Sequence, residues 1–298
     1  MGKKGTLCVL ACYILWGVLP VFWKTLAAVD SLYVLAARIV WSLVFITLIL
    51  ALRGRFGAVR AVLADRRELG RLMLAGIIIC VNWGGYIQAV SGGHVLDASL
   101  AYYMTPILNI LLGTLVFREK LTKLQWLSAA VAFAGLVVTI VRYRQIPWMA
   151  LIIGGSFALY GAVKKGARAE AGVSVFFETL TLAPFALTFM LAAEVRGAGA
   201  AGVLQGARWL LLPAAGVVTT VPLLFFAEGV KSTPLTLSGI LMYINPTLQL
   251  LLSVLLYHEE FTVTHAILFG FVWSGLILYV AAELLRERKR RREETPCA

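Results

Sequence analysis

Arg38 and Glu178 stand inside apolar runs, near residues 31–52 and 173–193, and are 140 positions apart. A charged side chain at the centre of a bilayer costs at least ~2.5 kcal/mol, so embedded charges default to handling ions, protons or substrate. Opposite charges at matched positions invite a pair or a gate. The plainer reading is two separate groups, each reaching its own water interface. Lys24 and Lys164 share the same offset and lie nearer helix ends, where snorkelling is the default. Asn82 and Gln88 either line a cavity or bridge helices. Tyr102, Pro106, Asn109 and Gly113 run at i, i+4, i+7 and i+11, which is one helix face. Met242, Pro246, Gln249 and Ser253 are their equivalents. A stripe of small and amide side chains is either a cavity lining or a packing seam. Tyr13, Gly17, Pro20 and Lys24 form a similar stripe, as do Ser156, Tyr160 and Lys164. Pro106 and Pro246 each free a backbone carbonyl; this shapes a cavity or reflects the frequency of proline in membrane helices. Glu119 and Glu259 fall at helix ends, where solvation is expected and their match suggests a structural turn. Glu228 lies near another helix end.

The chemistry available to this set is recognition and passage of a small molecule. No G-x-x-x-x-G-K-[ST] loop is present for nucleotide-driven work. His258-Glu259-Glu260 with His265 misses H-E-x-x-H, because the second histidine comes seven residues after the first. No G-x-S-x-G elbow appears. Cys8, Cys12, Cys80 and Cys297 show neither metal spacing nor a disulfide framework. No cofactor and no metal are expected.

The elements that position these residues are written twice. Tyr103, Leu111, Leu112, Leu115, Thr122 and Gly135 reappear as Tyr243, Leu251, Leu252, Leu255, Thr262 and Gly275, again 140 residues on. The chain of 298 residues is 60% hydrophobic and 14% charged, with mean hydropathy +0.87. Soluble domains are about a quarter charged, so this composition indicates a membrane protein. A spanning helix needs roughly 20 apolar residues. Ten candidate segments lie near 6–27, 31–52, 72–91, 96–117, 122–141, 147–163, 173–193, 209–229, 235–257 and 263–284. What remains is short loops and a tail, with no room for a soluble catalytic domain. Lys3-Lys4 before an apolar run resembles a signal peptide, but Trp16, Pro20 and Trp23 extend that run to a span, so an uncleaved first helix is expected.

The net charge of +12 does not indicate nucleic acid. Its basic residues cluster beside spans, in 53–71 and in the tail from Arg286 to Arg292, where positive-inside charge is expected. The tail also suits anionic lipid headgroups. An inside N-terminus collects Arg118, Lys120, Lys123, Lys164, Lys165, Arg168 and Lys231 on the cytoplasmic side, with both termini there; Arg142 and Arg144 run against the pattern. Equivalent loops of the two halves carry opposite bias, and each half has five spans, so the second must enter upside down. The expected architecture is all-α, ten transmembrane helices in two inverted five-helix repeats, residues 1–141 and 142–285, followed by a basic tail, 286–298.

Several segments resemble the RarD branch of the EamA-type transporters, in the drug/metabolite transporter superfamily. They are Tyr13-Ile14-Leu15-Trp16-Gly17 with Pro20 and Lys24; Arg38 with Trp41-Ser42; Asn82-Trp83; and His94 to Leu100 leading to Tyr103, Pro106, Glu119 and Gln125-Trp126. The second half adds Ser156 to Gly161, Glu178-Thr179, Thr219 to Leu224 and Tyr243 to Leu248. The resemblance implies ten helices in inverted repeats, alternating access without ATP and a bacterial inner-membrane location. The family is associated by name with chloramphenicol sensitivity, and superfamily relatives export amino acids and other small metabolites. Two positions depart from the pattern: Met242, where an amide is expected, and Glu228, where a small or apolar residue is expected.

The function expected is secondary transport of a small metabolite or drug-like compound, with export as the direction. Trp16, Tyr102, Tyr103, Tyr160 and Tyr243 would give apolar contact. Arg38, Asn82 and Glu178 would give orientation, with Lys24, Pro106, Asn109, Pro246 and Gln249 completing the path. Glu178 or Glu228 offers a carboxylate for proton coupling. Gly270-x-x-x-Ser274 offers a seam for a homodimer. An intramembrane enzyme or a non-transporting regulatory membrane protein are the alternatives.

Overall fold

Among the described residues, twelve α-helices and one short 3-10 turn carry the chain. The computed structural model describes residues 3–91, 95–143, 148–258 and 263–294. His94, Arg144, Glu259, Glu260, Thr262 and Cys297 lie outside the described residues, as do the side chains of Asp97, Arg142, Ser253, His265 and the basic residues after Arg286. The first half holds α1 (Lys3–Lys24), α2 (Ser31–Leu52), α3 (Phe56–Ala64), α4 (Arg66–Ser91), α5 (Val95–Leu115) and α6 (Lys123–Tyr143). The second holds α7 (Trp148–Lys165), α8 (Ala171–Val195), α9 (Leu211–Ser232), α10 (Leu235–Leu241), α11 (Ile244–Tyr257) and α12 (Val263–Glu294). Among the described residues, seven helical stretches are long and apolar enough to cross a membrane. Large apolar side chains such as Leu48, Ile77, Phe133, Phe185 and Leu191 point outward and stay exposed. A surface of that kind calls for lipid rather than water.

Local chemistry sets the helix ends. Asp30 caps α2, its carboxylate accepting from the Tyr33 amide at 3.0 Å. Asp65 does the same for α4, accepting from the Arg67 and Glu68 amides at 3.1 Å. Beyond α5 the chain turns through Arg118 at φ 53, and its equivalent beyond α11, His258, has φ 55. Both residues occupy the left-handed region that non-glycine residues seldom enter.

Two elements differ from the sequence expectation. The basic segment 53–71 contains α3, whose Val59 and Val62 are buried beside Leu69 and Leu72, because an apolar stripe within the charged run has a core to join. The span expected at 235–257 is interrupted at Met242–Tyr243. Pro246 cannot donate, and its ring crowds the carbonyl four residues back, at Met242. The chain tightens there into i→i+3 bonds, Tyr243 N to Ile240 O at 3.2 Å and Asn245 N to Met242 O at 3.0 Å. Pro106 occupies the equivalent place in α5, which stays continuous.

Helix packing follows the 140-residue offset. By that offset α1 corresponds to α7, α2 to α8, α4 to α9, α5 to α10 with α11, and α6 to α12. Helix α1 packs on α9 as α7 packs on α4; α2 packs on α9 as α8 packs on α4; α5 packs on α7 as α11 packs on α1. Pairs α2–α8, α5–α10 and α6–α12 join equivalents directly. Gly76 and Gly216 are themselves equivalents and approach equivalent helices, α8 and α2. A Cβ on Gly76 would sit 2.9 Å from the Glu178 carbonyl, and one on Gly216 would strike the Trp41 backbone.

Candidate substrate cavity

A cavity of about 530 Å³ opens between the two halves. The second half of α1, the start of α2, the end of α4 and the start of α5 give its walls, together with α7 and the α10–α11 break. Lys24, Ala27 and Ser31, all exposed, form the mouth. Inside, the guanidinium carbon of Arg38 lies 4.9 Å from the Trp23 ring centre and 4.4 Å from that of Trp83. Its Nε donates to Thr219 Oγ1 at 3.1 Å. Asn82 Nδ2 donates to the Ile153 carbonyl at 2.7 Å and to Ser156 Oγ at 3.3 Å, tying α4 to α7. On the far wall Gln249 Nε2 donates to Asn245 Oδ1 at 2.7 Å. Tyr86 and Tyr102 meet edge to face, 5.9 Å between centres.

The floor is aromatic. Trp16 lies 5.5 Å from Phe157 and 5.8 Å from Phe226, and Tyr160 stacks on Phe226 at 5.6 Å. Below it the protein is closed by polar contacts. Lys164 pairs with Glu178 and donates to Ser174 Oγ at 2.8 Å. Tyr160 donates to Glu178 Oε2 at 2.8 Å. Tyr13 and Ser238 share a 2.9 Å hydrogen bond. Glu119 accepts from the Leu235 and Thr236 amides at 2.7 and 2.9 Å and faces Lys165 at 3.6 Å. Lys165 also donates to the Thr233 carbonyl at 2.6 Å. Glu68 accepts from the Arg168 and Ala169 amides at 2.7 and 3.0 Å, while Arg71 donates to Glu68 and to the Gly166 carbonyl. One end of the molecule is hollow and the other is laced shut across the two halves.

A model of the EamA-like transporter family matches residues 3–141 and 146–281. The chain belongs to that family. Within it the chain falls in the RarD branch. The chain is 35% identical to Protein RarD of Streptomyces exfoliatus, over 99% of this chain and 94% of that one. It is 32% identical to Protein RarD of Escherichia coli, covering 96% and 97%. An uncharacterized transporter of Bacillus subtilis, YojE, is 39% identical over 96% of both. A solved crystal structure at 19% identity superimposes with a TM-score of 0.74, covering 95% of this chain and 100% of that one, which speaks for the fold alone. The chain is therefore a membrane transporter of the drug/metabolite type.

For an EamA-family chain the residues singled out by sequence divide into three groups. Trp16, Lys24, Arg38, Asn82, Tyr102 and Gln249 line the cavity. Tyr160 belongs to the floor, and Glu178 lies beneath it, accepting from the Tyr160 hydroxyl. Pro246 stands in the first turn of α11, and Tyr103, Pro106, Asn109 and Tyr243 belong to the contact of α5 with α10 and the break after it. There Gly239 admits Pro106 and Asn109, since a Cβ would meet the Pro106 carbonyl at 2.9 Å. Tyr243 Oη donates to the Tyr103 carbonyl at 3.4 Å, a contact between equivalents. Asn109 Oδ1 is buried there without a hydrogen-bond partner.

Two expectations are corrected, and one open alternative is decided. Arg38 and Glu178 do not pair: Arg38 meets Thr219 and two indoles, and Glu178 meets Lys164, so they are two separate groups. Lys164 does not snorkel but is fully buried, its counter-ion one helix away on α8. Glu119 is not a solvated helix end but caps α10 from outside, supplying acceptors that Pro234 cannot. Trp23, Tyr86 and Asn245 were missed as cavity residues. Trp16, Pro20 and Trp23 recur at i, i+4 and i+7, a face that an aromatic count could have found.

Proposed function

We propose that the chain is a secondary, ATP-independent transporter that moves a small metabolite or drug-like compound across a bacterial cytoplasmic membrane by alternating access, with export as its direction. The observation that carries this reading is the cavity between the halves, hollow toward the α1–α2 turn and laced shut at the other end. Two inverted five-helix repeats, 1–141 and 142–285, are the moving units. The packing that maps onto itself by the 140-residue offset, the shared positive φ at Arg118 and His258, and a family match in each half support that division. The Lys/Arg-rich loops fall at the laced end, which positive-inside bias makes cytoplasmic, with both termini there. The cavity then faces outward. Glu178, held by Lys164, is the carboxylate for proton coupling, and dependence of flux on a pH gradient tests it. A second copy would pack on the exposed Gly270 and Ser274 of α12, and anionic lipid would meet the basic segment after Arg286.

The direct test is flux in proteoliposomes. A screen for stabilising metabolites identifies cargo, since ligands that bind the native state raise its stability by mass action. Arg38→Ala is expected to reduce flux of that cargo by about tenfold or more, the scale of one lost charge-assisted hydrogen bond. Unchanged flux removes Arg38 from the mechanism, and no flux of any stabilising compound removes transport.

A further inference from the structure

We infer that the cavity is built for a monoanionic amphipathic cargo: a carboxylate carried on a flat apolar body, with Arg38 receiving the carboxylate. The word cargo rests on the transport reading; the recognition does not. Among the described lining residues the ionisable cations are Lys24 and Arg38, and there is no aspartate or glutamate. Three cations elsewhere in the molecule have acids beside them. Lys164 has Glu178, Lys165 has Glu119 and Arg71 has Glu68. Arg38 has a threonine hydroxyl and two indole rings instead.

That arrangement leaves a defined vacancy on the side chain. Nε is engaged by Thr219, and the Trp23 and Trp83 rings lie against the guanidinium. Both terminal nitrogens are left without an acceptor among the described residues. They are the planar fork that grips a carboxylate with two parallel hydrogen bonds. A cation among apolar walls without a counter-ion is costly, and an anionic guest relieves that cost where a cationic guest adds to it. The rest of the cavity suits the rest of such a guest. Trp16, Trp83, Tyr86, Tyr102 and Phe157 present flat apolar surface, and about 530 Å³ is within the range that holds a small metabolite. The Asn245–Gln249 pair on the far wall offers amide groups to a polar substituent.

Three probes differing in one group test this: indole-3-acetate, indole-3-acetamide and tryptamine, titrated calorimetrically into the purified full chain in detergent at neutral pH. The acid is expected to bind at least about tenfold more tightly than the amide, the scale of a charge-assisted pair, with tryptamine weaker still. Arg38→Gln should bring acid and amide within about twofold of one another, and Arg38→Lys should keep part of the preference. The wild-type ranking stands even if a variant does not fold. Equal binding of acid and amide, preference for tryptamine, or no binding of the acid overturns the inference. Flux of some other compound in proteoliposomes would then leave transport intact. Arg38-dependent binding of the acid without its flux keeps the anion site and removes transport instead.

Discussion

Lys24 at the mouth with Arg38 inside the cavity, and Lys164 with Glu178 at the laced end, stand at matched positions in the two halves and behave in opposite ways. The first pair lines a hollow lined by aromatic rings. The second is buried, Lys164 completely and Glu178 to 2% exposure, and the two residues bond each other. Exchange of arginine for glutamate at the matched position supplies the difference. Arg38 has no carboxylate beside it among the described residues and can meet an anion, whereas two opposite charges can close on each other. A repeat that kept arginine in both places would have nothing to lock. The mismatch between halves, set in a scaffold that otherwise repeats, gives the molecule two unequal ends.

Breaking the buried pair should have the largest effect. Glu178→Ala leaves Lys164 as an uncompensated buried charge, and about 3–5 kcal/mol of stability should be lost. Thermal unfolding in detergent measures it. Glu178→Leu combined with Lys164→Met should recover most of that loss, because an apolar pair of similar volume needs no counter-ion. A double variant as unstable as the single one would show that the pair is not the lock.

Glu119 sharpens the same contrast at smaller scale. Glu119→Ala removes the acceptor for two amides at the start of α10 and the partner of Lys165, at a cost of about 1–2 kcal/mol. Labelling should report it as well. In a background with Cys8, Cys12, Cys80 and Cys297 replaced, a membrane-impermeant thiol reagent should modify Ala27→Cys readily and Thr236→Cys slowly. Glu119→Ala should speed the second without changing the first. Equal labelling of both sites in the parent would erase the distinction between the ends.

The smallest effect expected is at the rim of the laced end. The Asp65 carboxyl is held below its ordinary range, first by the Glu68 amide, against an upward push from desolvation that is second in size, with Arg168 and the Arg67 amide adding to the lowering. Its folded value is thus depressed. The stabilisation is present above about pH 4, the usual aspartate value, and fades as pH falls through the folded value. Wild type should be more stable than Asp65→Ala near neutrality, and the two should converge in acid. A gap that persists at low pH would assign the effect to packing instead of the charged cap.

Much of this was legible in the sequence. The apolar runs and their helical period fixed membrane helices, since a bilayer admits little else. The 140-residue offset announced which helices would be equivalents, because a duplicated fold packs equivalent faces in equivalent ways. The insertion cost marked Arg38 as a residue needing an explanation. Pro246, too, was readable as a stress, but not as a break, since Pro106 bends nothing apart in the same place.

Partners were not legible. Depth along a helix can be counted from its ends, but lateral neighbours depend on how helices are rotated and paired. Lys164 looked like a helix-end cation until α8 brought Glu178 and Ser174 beside it. Glu119 looked solvated until α10 began at its carboxylate. Trp23 and Trp83 became the walls around Arg38 through the approach of α1 and α4. The sequence by itself determined a duplicated membrane protein with charge at depth; the tertiary structure decided which charges close on each other and which one stays open, because a side chain's environment is set by the helices packed against it.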